Sequence, residues 1–454
     1  MRYVSTRGAS PPRGFLDVLL AGPARDGGLF MPEAWPRFEV SAFAGKPYAE
    51  AAYAVLKPFV GGEFSDEELK ADLDAAYADF DRAEIAPLVR MGPDTFLLEL
   101  FHGPTLAFKD IALQSIGRLF ARALQKRGGR ATVLVATSGD TGSAAIAALG
   151  GLPNIEVFVI HPRGRVSEVQ RLQMTTAPHA NVHNVALEGT FDDAQSIVKT
   201  LFADAAFAER THLAAVNSIN FVRIAAQSVY YSTALAALGR EAAFVVPTGN
   251  FGDVFAGEAA RRMGLPVGKL IVATNRNDIV ARALNEGVYA PGAARPTLSP
   301  SMDIQVASNF ERALFEASGR DADWVRAAMA AFAESSSLIL PPPVLAELRA
   351  LYEARSIGDA ETLETIARVH RETGRFIDPH TAVAVAAAPS GGPTVILSTA
   401  HPAKFPEAVR RATGEMPPLP PRLKGLYEGV ERVTTLANDP ALIRAFIERN
   451  SARP

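Results

Sequence analysis

Three glycine- or threonine-rich loops of this chain each follow directly on an apolar, strand-like run. They are Thr137-Ser138-Gly139-Asp140-Thr141-Gly142, Thr248-Gly249-Asn250-Phe251-Gly252-Asp253 and Ser398-Thr399-Ala400-His401-Pro402-Ala403-Lys404-Phe405. Around them, helical and strand patterns alternate, as a parallel α/β sheet requires. Leu113, Ile116, Phe120 and Leu124 recur at three- and four-residue steps and predict one apolar stripe on a helix closed by Gly128-Gly129. A strand over 132–136, an alanine-rich helix over 143–149 and a strand over 157–160 follow. The alternation resumes with a long helix over 221–238, a strand over 244–246, a helix over 255–263 and a strand over 270–272. A last strand is expected over 394–397 and a final helix from Phe405 onward. The proline clusters at 341–343 and 417–421 are poor helix interiors and read as connections.

At 454 residues the chain is long enough for two or three domains, and its 48% hydrophobic residues can fill their cores. The first ~90 residues lack strand alternation and carry charge-laced helical stretches at 48–56 and 66–80, which predicts a mostly helical region. The 46 basic and 49 acidic residues leave a net charge of -3, so no global field attracts nucleic acid or an anionic membrane. A small-molecule partner is expected instead. With no cysteine, disulfides, thiolate nucleophiles and cysteine-ligated metals are excluded. The eight histidines show no metal-binding spacing, so no metal is expected. Residues 381–400 carry no formal charge and match a membrane span in length, at about 20 residues. Pro389-Ser390-Gly391-Gly392-Pro393 breaks that stretch into helix, turn and buried strand. With no secretory signal pattern at the start, a cytoplasmic location is expected.

Lys109 lies in His102-Gly103-Pro104-Thr105-Leu106-Ala107-Phe108-Lys109-Asp110. Apolar neighbours desolvate an ammonium and lower its pKa from about 10.4, leaving a nucleophilic amine that can capture an aldehyde. The Gly-Pro turn would present it from a fixed backbone. Read alone, the same lysine is more readily a solvated residue opening an amphipathic helix, since most lysines are solvated.

Together with the opening Tyr3-Val4-Ser5-Thr6-Arg7-Gly8 and the segment Gly27-Gly28-Leu29-Phe30-Met31-Pro32, the lysine run and the three loops resemble the threonine synthase family over nearly the whole chain. The resemblance implies the fold type II architecture of pyridoxal 5'-phosphate enzymes: two open, twisted α/β domains with the cofactor between them, after a helical N-terminal region. The chain then divides into residues 1–94, a smaller α/β domain over 95–215 with the Lys109 and Ser138 motifs, and a larger one over 216–454.

The resemblance also implies roles. Lys109 is the catalytic lysine and cofactor attachment point. Gly249, Asn250, Phe251 and Gly252 hold the cofactor's 5'-phosphate with Asp253 alongside, since a glycine loop opening a helix turns backbone N–H groups toward an anion. A plain β–α turn would read the same way. Thr399 meets the pyridine nitrogen, though by itself it reads as a strand-end hydroxyl. Ser138 and Thr141 grip the substrate carboxylate. Asp140 stands where many relatives of the wider fold type carry asparagine, and its charge would repel a phenolate. Asn217, Asn220 and Arg223, with Arg163 and Lys404, are the candidates for a substrate phosphate; taken singly, each reads as structural or solvent-facing. The activity implied is that of a lyase converting O-phospho-L-homoserine and water to L-threonine and phosphate by γ-elimination and β-addition, in a monomer or small homo-oligomer. A phospholyase or dehydratase releasing a 2-oxoacid and ammonia is the nearer alternative, and a non-catalytic cofactor-binding protein the other.

Overall fold

The structure, a computed structural model, describes residues 1–451. Two open sheets organise it. The larger has six strands in the order Tyr352–Ser356, Val267–Thr274, Ala242–Pro247, Thr394–Ser398, Thr95–Glu99 and Leu88–Arg90. All pair in parallel except Leu88–Arg90, which turns back antiparallel on Thr95–Glu99. The smaller is fully parallel, in the order Thr434–Ala437, Val182–Glu188, Ile155–Pro162, Ala131–Ala136 and Leu213–Ala214. Parallel strands need crossover connections, and here helices supply most of them on both faces.

The predicted elements appear with longer bounds. The helix carrying the 113/116/120/124 stripe spans Lys109–Arg127, all four residues are buried, and Gly128 ends it in a left-handed conformation. The long helix spans Phe221–Leu238, and its C-terminal stop is Gly239, again left-handed. The uncharged stretch folds as the helix Pro379–Ala387, a turn and the buried strand Thr394–Ser398. Among the described residues no helix is long and apolar enough to cross a membrane.

Three features differ from the sequence reading. Strand Thr95–Glu99 lies in the larger sheet, because it pairs with Thr394–Ser398; strand Thr434–Ala437 lies in the smaller one, covering the otherwise open edge of Val182–Glu188. The last helix is Pro440–Asn450, not Pro406–Thr413; its Ile443 and Ile447 close an apolar cluster with Phe158 and Phe207 on the smaller sheet. The 341–343 prolines are not all connection: Pro342 opens the helix Pro342–Leu351, where a missing N–H leaves no bond unmade.

The N-terminal helices Phe15–Ala21, Tyr48–Val60 and Asp66–Tyr77 belong to the main core, where Tyr3, Phe15 and Phe59 share one apolar cluster with Phe221 and Phe255. The opening segment is pinned to the helix Phe310–Ala317 by a bidentate pair, Arg7 Nε and Nη2 donating to Glu311 at 3.0 and 2.8 Å, with Thr6 Oγ1 donating to the same carboxylate at 2.6 Å.

Candidate active site

The carboxyl ends of both sheets face one cavity of about 680 Å³. In open α/β sheets ligands gather at these ends. The loops beginning at Thr248 and Thr399 leave adjacent parallel strands of the larger sheet, and the loop beginning at Thr137 leaves the smaller sheet opposite them.

Lys109 reaches this cavity from a clamped backbone. Asp110 accepts bonds from Thr105 N (2.8 Å) and Thr105 Oγ1 (2.7 Å), and a Cβ at Gly103 would lie 2.5 Å from that of Asp110, so the turn requires glycine there. Phe108 N–H donates to Thr399 O at 2.8 Å, tying the lysine turn to the strand end across from it. Lys109 is buried, with Nζ 4.6 Å from the centre of the Phe108 ring and 3.5 Å from Asp140 Oδ2. Burial lowers its pKa; Arg223 and Lys404 push the same way and the Asp140 charge opposes them.

The Thr137–Gly142 loop folds around a side chain: Thr137 Oγ1 accepts from the N–H groups of Gly139 and Gly142, each at 2.9 Å. Gly139 has φ of 131° and no room for a Cβ, which would sit 2.3 Å from Gln170 Cδ. Asp140 then opens the helix Asp140–Leu149 with its carboxylate buried. Burial alone would raise its pKa, but Lys404 and Lys109 hold it well below the usual carboxylate range. Lys404 Nζ lies 2.7 Å from Oδ1, Gln170 Nε2 donates to Oδ1 at 2.9 Å and Ser301 Oγ to Oδ2 at 3.3 Å.

On the larger sheet, Phe251 adopts φ of 65°, a left-handed conformation unusual for a side chain of its size. It precedes the helix Gly252–Arg262, so the backbone N–H groups of the turn cluster at a helix N-terminus. A Cβ on Gly249 would fall 2.9 Å from Ile304 Cδ1 and 3.1 Å from Ser301 O. Asp253 is buried under Tyr230 and Tyr231, whose hydroxyls both donate to its Oδ1, while its Oδ2 has no partner. Burial raises its pKa to about 6, against the hydrogen bond from Tyr230 and the charge of Arg223. Arg223 is 3% exposed, lines the cavity, and has an Nε without a hydrogen-bond partner. Burial pushes its pKa down to about 10. An unpaired buried guanidinium is costly unless an anion joins it.

Most expected site residues therefore line one cavity: Lys109, Ser138, Asp140, Thr141, Asn217, Arg223, Thr399 and all of Gly249 to Asp253. Three do not. Arg163 is exposed and pairs with Glu188 at 3.2 Å, outside the cavity. Asn220 caps the helix Phe221–Leu238, its Oδ1 accepting from Val222 N (3.1 Å) while its Nδ2 donates to Leu19 O (2.8 Å). Lys404 is fully buried behind the cavity wall on Asp140 and Thr105 O, the latter at 2.7 Å. Each of these cations or amides has a protein partner where the sequence reading places a phosphate.

Ser301 and His380 line the cavity without having been expected there. Asp378-Pro379-His380-Thr381 carries a readable helix-start signal, an acidic N-cap followed by proline. Nothing in the sequence around Ser301 marks it.

The chain matches the family model described as pyridoxal-phosphate dependent enzyme over residues 87–356, that of the threonine synthase N terminus over 2–77, and that of the threonine synthase C-terminal region over 381–447. It is 50% identical over 465 residues to a threonine synthase of Pseudomonas aeruginosa, covering 100% of this chain and 99% of the relative. Its fold superposes on the PLP-bound threonine synthase from Brucella melitensis with a TM-score of 0.96 at 48% identity, covering 100% of both chains. The yeast threonine synthase structure follows at a TM-score of 0.92 and 36% identity, covering 99% of this chain and 98% of that one.

Proposed function

Because the chain belongs to the threonine synthase family of pyridoxal-phosphate dependent enzymes, we propose that it converts O-phospho-L-homoserine and water to L-threonine and phosphate. The observation that carries this reading is the pairing, in one cavity, of a desolvated Lys109 with a buried Arg223 whose Nε has no hydrogen-bond partner among the described residues. One group is a nucleophile and base; the other is a waiting counter-charge for an anion.

The residues present fit the cofactor. The Gly249–Gly252 turn, cramped against Ser301 and Ile304, leaves backbone N–H groups that would take the 5'-phosphate; Lys109 and Thr399 line the same cavity, where the amine would hold the aldehyde carbon and the hydroxyl would face the ring nitrogen. When bound, pyridoxal 5'-phosphate supplies an electron sink for charge developing beside the substrate's amino group. A threonine hydroxyl does not enforce a protonated ring nitrogen as a carboxylate would, so more of the stabilisation falls to the surrounding charges.

Lys109 Nζ takes the α-proton and then a β-proton of the substrate; after phosphate departs a proton is returned at the γ-carbon, and water adds its hydroxyl at the β-carbon while a proton is restored at the α-carbon. Ser138 and Thr141, beside the N-terminus of the helix Asp140–Leu149, bind the α-carboxylate. Arg223, with Asn217, receives the γ-phosphate and neutralises the charge that grows as it leaves. Asp140 is ionised but balanced by Lys404, so it faces Lys109 as one half of an ion pair rather than as a bare charge. The cavity walls come from both sheets, including the helix Phe191–Ala203 on one side and Ile304 to Val306 on the other, so their approach would exclude water until the β-addition step. The partner is a small molecule, with no nucleic acid involved, and the work belongs to the cytoplasm.

The test is product analysis on phosphohomoserine. Threonine and inorganic phosphate in equal amounts are expected; a 2-oxoacid with ammonia in place of the threonine, beside the same phosphate, would make the chain a phospholyase instead.

A further inference from the structure

Asp378 and His380 form a buried pair that the proposed chemistry leaves unused. Asp378 is fully buried and caps the helix Pro379–Ala387, accepting from the backbone N–H of His380 at 2.9 Å and of Thr381 at 3.3 Å, and from the Thr381 hydroxyl. It also accepts from His380 Nδ1 at 2.8 Å. The other ring nitrogen, Nε2, accepts the backbone N–H of Ser301 at 3.3 Å. That N–H can only donate, so Nε2 is the acceptor in this contact and Nδ1 the nitrogen that donates to Asp378.

Ser301 is where the two sheets meet. Its N–H is held by His380 from the larger-sheet side, its carbonyl packs 3.1 Å from the position a Cβ on Gly249 would take, and its hydroxyl donates to Asp140 Oδ2, on the smaller-sheet side, at 3.3 Å. Asp140 Oδ2 is the same oxygen that lies 3.5 Å from Lys109 Nζ. The two donors share one acceptor, so a hydroxyl fixed on that oxygen reduces what remains for the lysine.

We propose that His380 is a positioning residue: locked by Asp378, it holds Ser301 against Asp140 and thereby limits how tightly Asp140 pairs with Lys109. A lysine bound too closely by a carboxylate keeps its proton, and one freed of it altogether loses the partner that orients it. The inference rests on the reading of Lys109 as the reactive amine.

The test reads Lys109 itself. In the full-length chain freed of cofactor, the pH dependence of labelling at Lys109 by an amine-acylating reagent, followed by peptide mass spectrometry, gives its pKa. Asp140, Arg223, Lys404 and Asp253 are the charges that bear on this amine, and none of them is altered by the variants; His380, which is altered, acts on Asp140, so Ser301→Ala separates the loss of the contact from the loss of the ring. Ser301→Ala should raise the value by about half to one pH unit, as Oδ2 passes wholly to the ammonium. His380→Ala should raise it by a similar amount, and the double variant by no more than either alone, because both act on one contact. His380→Gln, whose side-chain carbonyl can replace Nε2 as acceptor, should restore the parent value.

Additive shifts, or a shift for Ser301→Ala without one for His380→Ala, would overturn the proposal. Should His380→Ala fail to fold, His380→Phe, which fills the same space but offers no acceptor to the Ser301 N–H, takes its place: a value raised as in Ser301→Ala supports the proposal and the parent value defeats it. A protein in which borohydride leaves no cofactor on Lys109 fails in a different way, since that outcome removes the reactive-amine reading and not the hydrogen-bond chain.

Discussion

Lys404 Nζ and Asp140 Oδ1 stand 2.7 Å apart with both side chains withdrawn from solvent, an ion pair between the C-terminal part of the larger sheet's chain and the first turn of a helix on the smaller sheet. The pair explains how a carboxylate is tolerated beside Lys109. It also predicts asymmetric mutational costs. Lys404→Met takes from a buried anion the nearer of its two cations, Lys109 remaining at 3.5 Å, and should destabilise the chain by up to about 3–5 kcal/mol, whereas Lys404→Met combined with Asp140→Asn should recover much of that loss. Urea unfolding of the two single variants and the double variant measures it. Equal losses in Lys404→Met and the double variant would show that the packing of the lysine stem matters, not the charge.

Removing the amine separates holding from chemistry. Lys109→Ala keeps the Gly249–Gly252 turn, so it should still take up cofactor weakly while losing turnover almost completely. In the parent protein, borohydride should leave the cofactor on the peptide containing Lys109. Label on another lysine, or substantial threonine formation by Lys109→Ala, places the base elsewhere.

Among the described residues Arg223 Nε has no hydrogen-bond partner, so its substitution should act on the ligand rather than the fold. A charge-assisted contact is worth roughly 1.5–3 kcal/mol, which puts the loss of catalytic efficiency for Arg223→Ala at about ten- to more than a hundredfold. Cofactor affinity should change little. Steady-state kinetics beside a cofactor titration decides this, and weakened cofactor binding with unchanged efficiency would move Arg223 to the cofactor site.

Asp253 gives a pH signature. Burial lifts its pKa from the ordinary 3.8 to about 6, so between these values the folded chain keeps a proton that the unfolded chain has released. Stability from this group is therefore lost as pH rises from about 4 to about 6, and is flat above; the loss is on the order of 3 kcal/mol. Asp253→Asn cannot ionise, yet its carbonyl oxygen can still accept from Tyr230. In the cofactor-free chain the difference in unfolding free energy between this variant and the parent should shift in the variant's favour across that window. A difference independent of pH would mean that Asp253 titrates normally.

The helices at Leu113 to Leu124 and at Phe221 to Leu238 were legible because each carries a long apolar face and a glycine stop, both local properties of the chain. Lys109 and the glycine loops were legible for the same kind of reason: a Gly-Pro turn and a glycine at a helix start dictate backbone shape over a few residues. Asn220 shows where this ends. An amide at a helix start suits a ligand and a cap equally, and only the nearness of Leu19 O, some two hundred positions away, commits it to the cap. Lys404 and Arg163 read alike as free cations, although one is buried on Asp140 and the other is exposed on Glu188.

By itself, then, the sequence determined the alternation of strand and helix, the turn that presents Lys109 and the loops able to cradle an anion, since these follow from local propensity and from patterns a few residues long; the role of Lys109 came from the family resemblance. The tertiary structure decided which charges meet: that Asp140 would be neutralised by Lys404, that Arg223 would be left unpaired, and that Ser301 and His380 would reach the cavity at all. Charge pairing depends on distance in space, and Lys404 and Asp140 lie in separate sheets' segments far apart in sequence, so no local pattern carries the information.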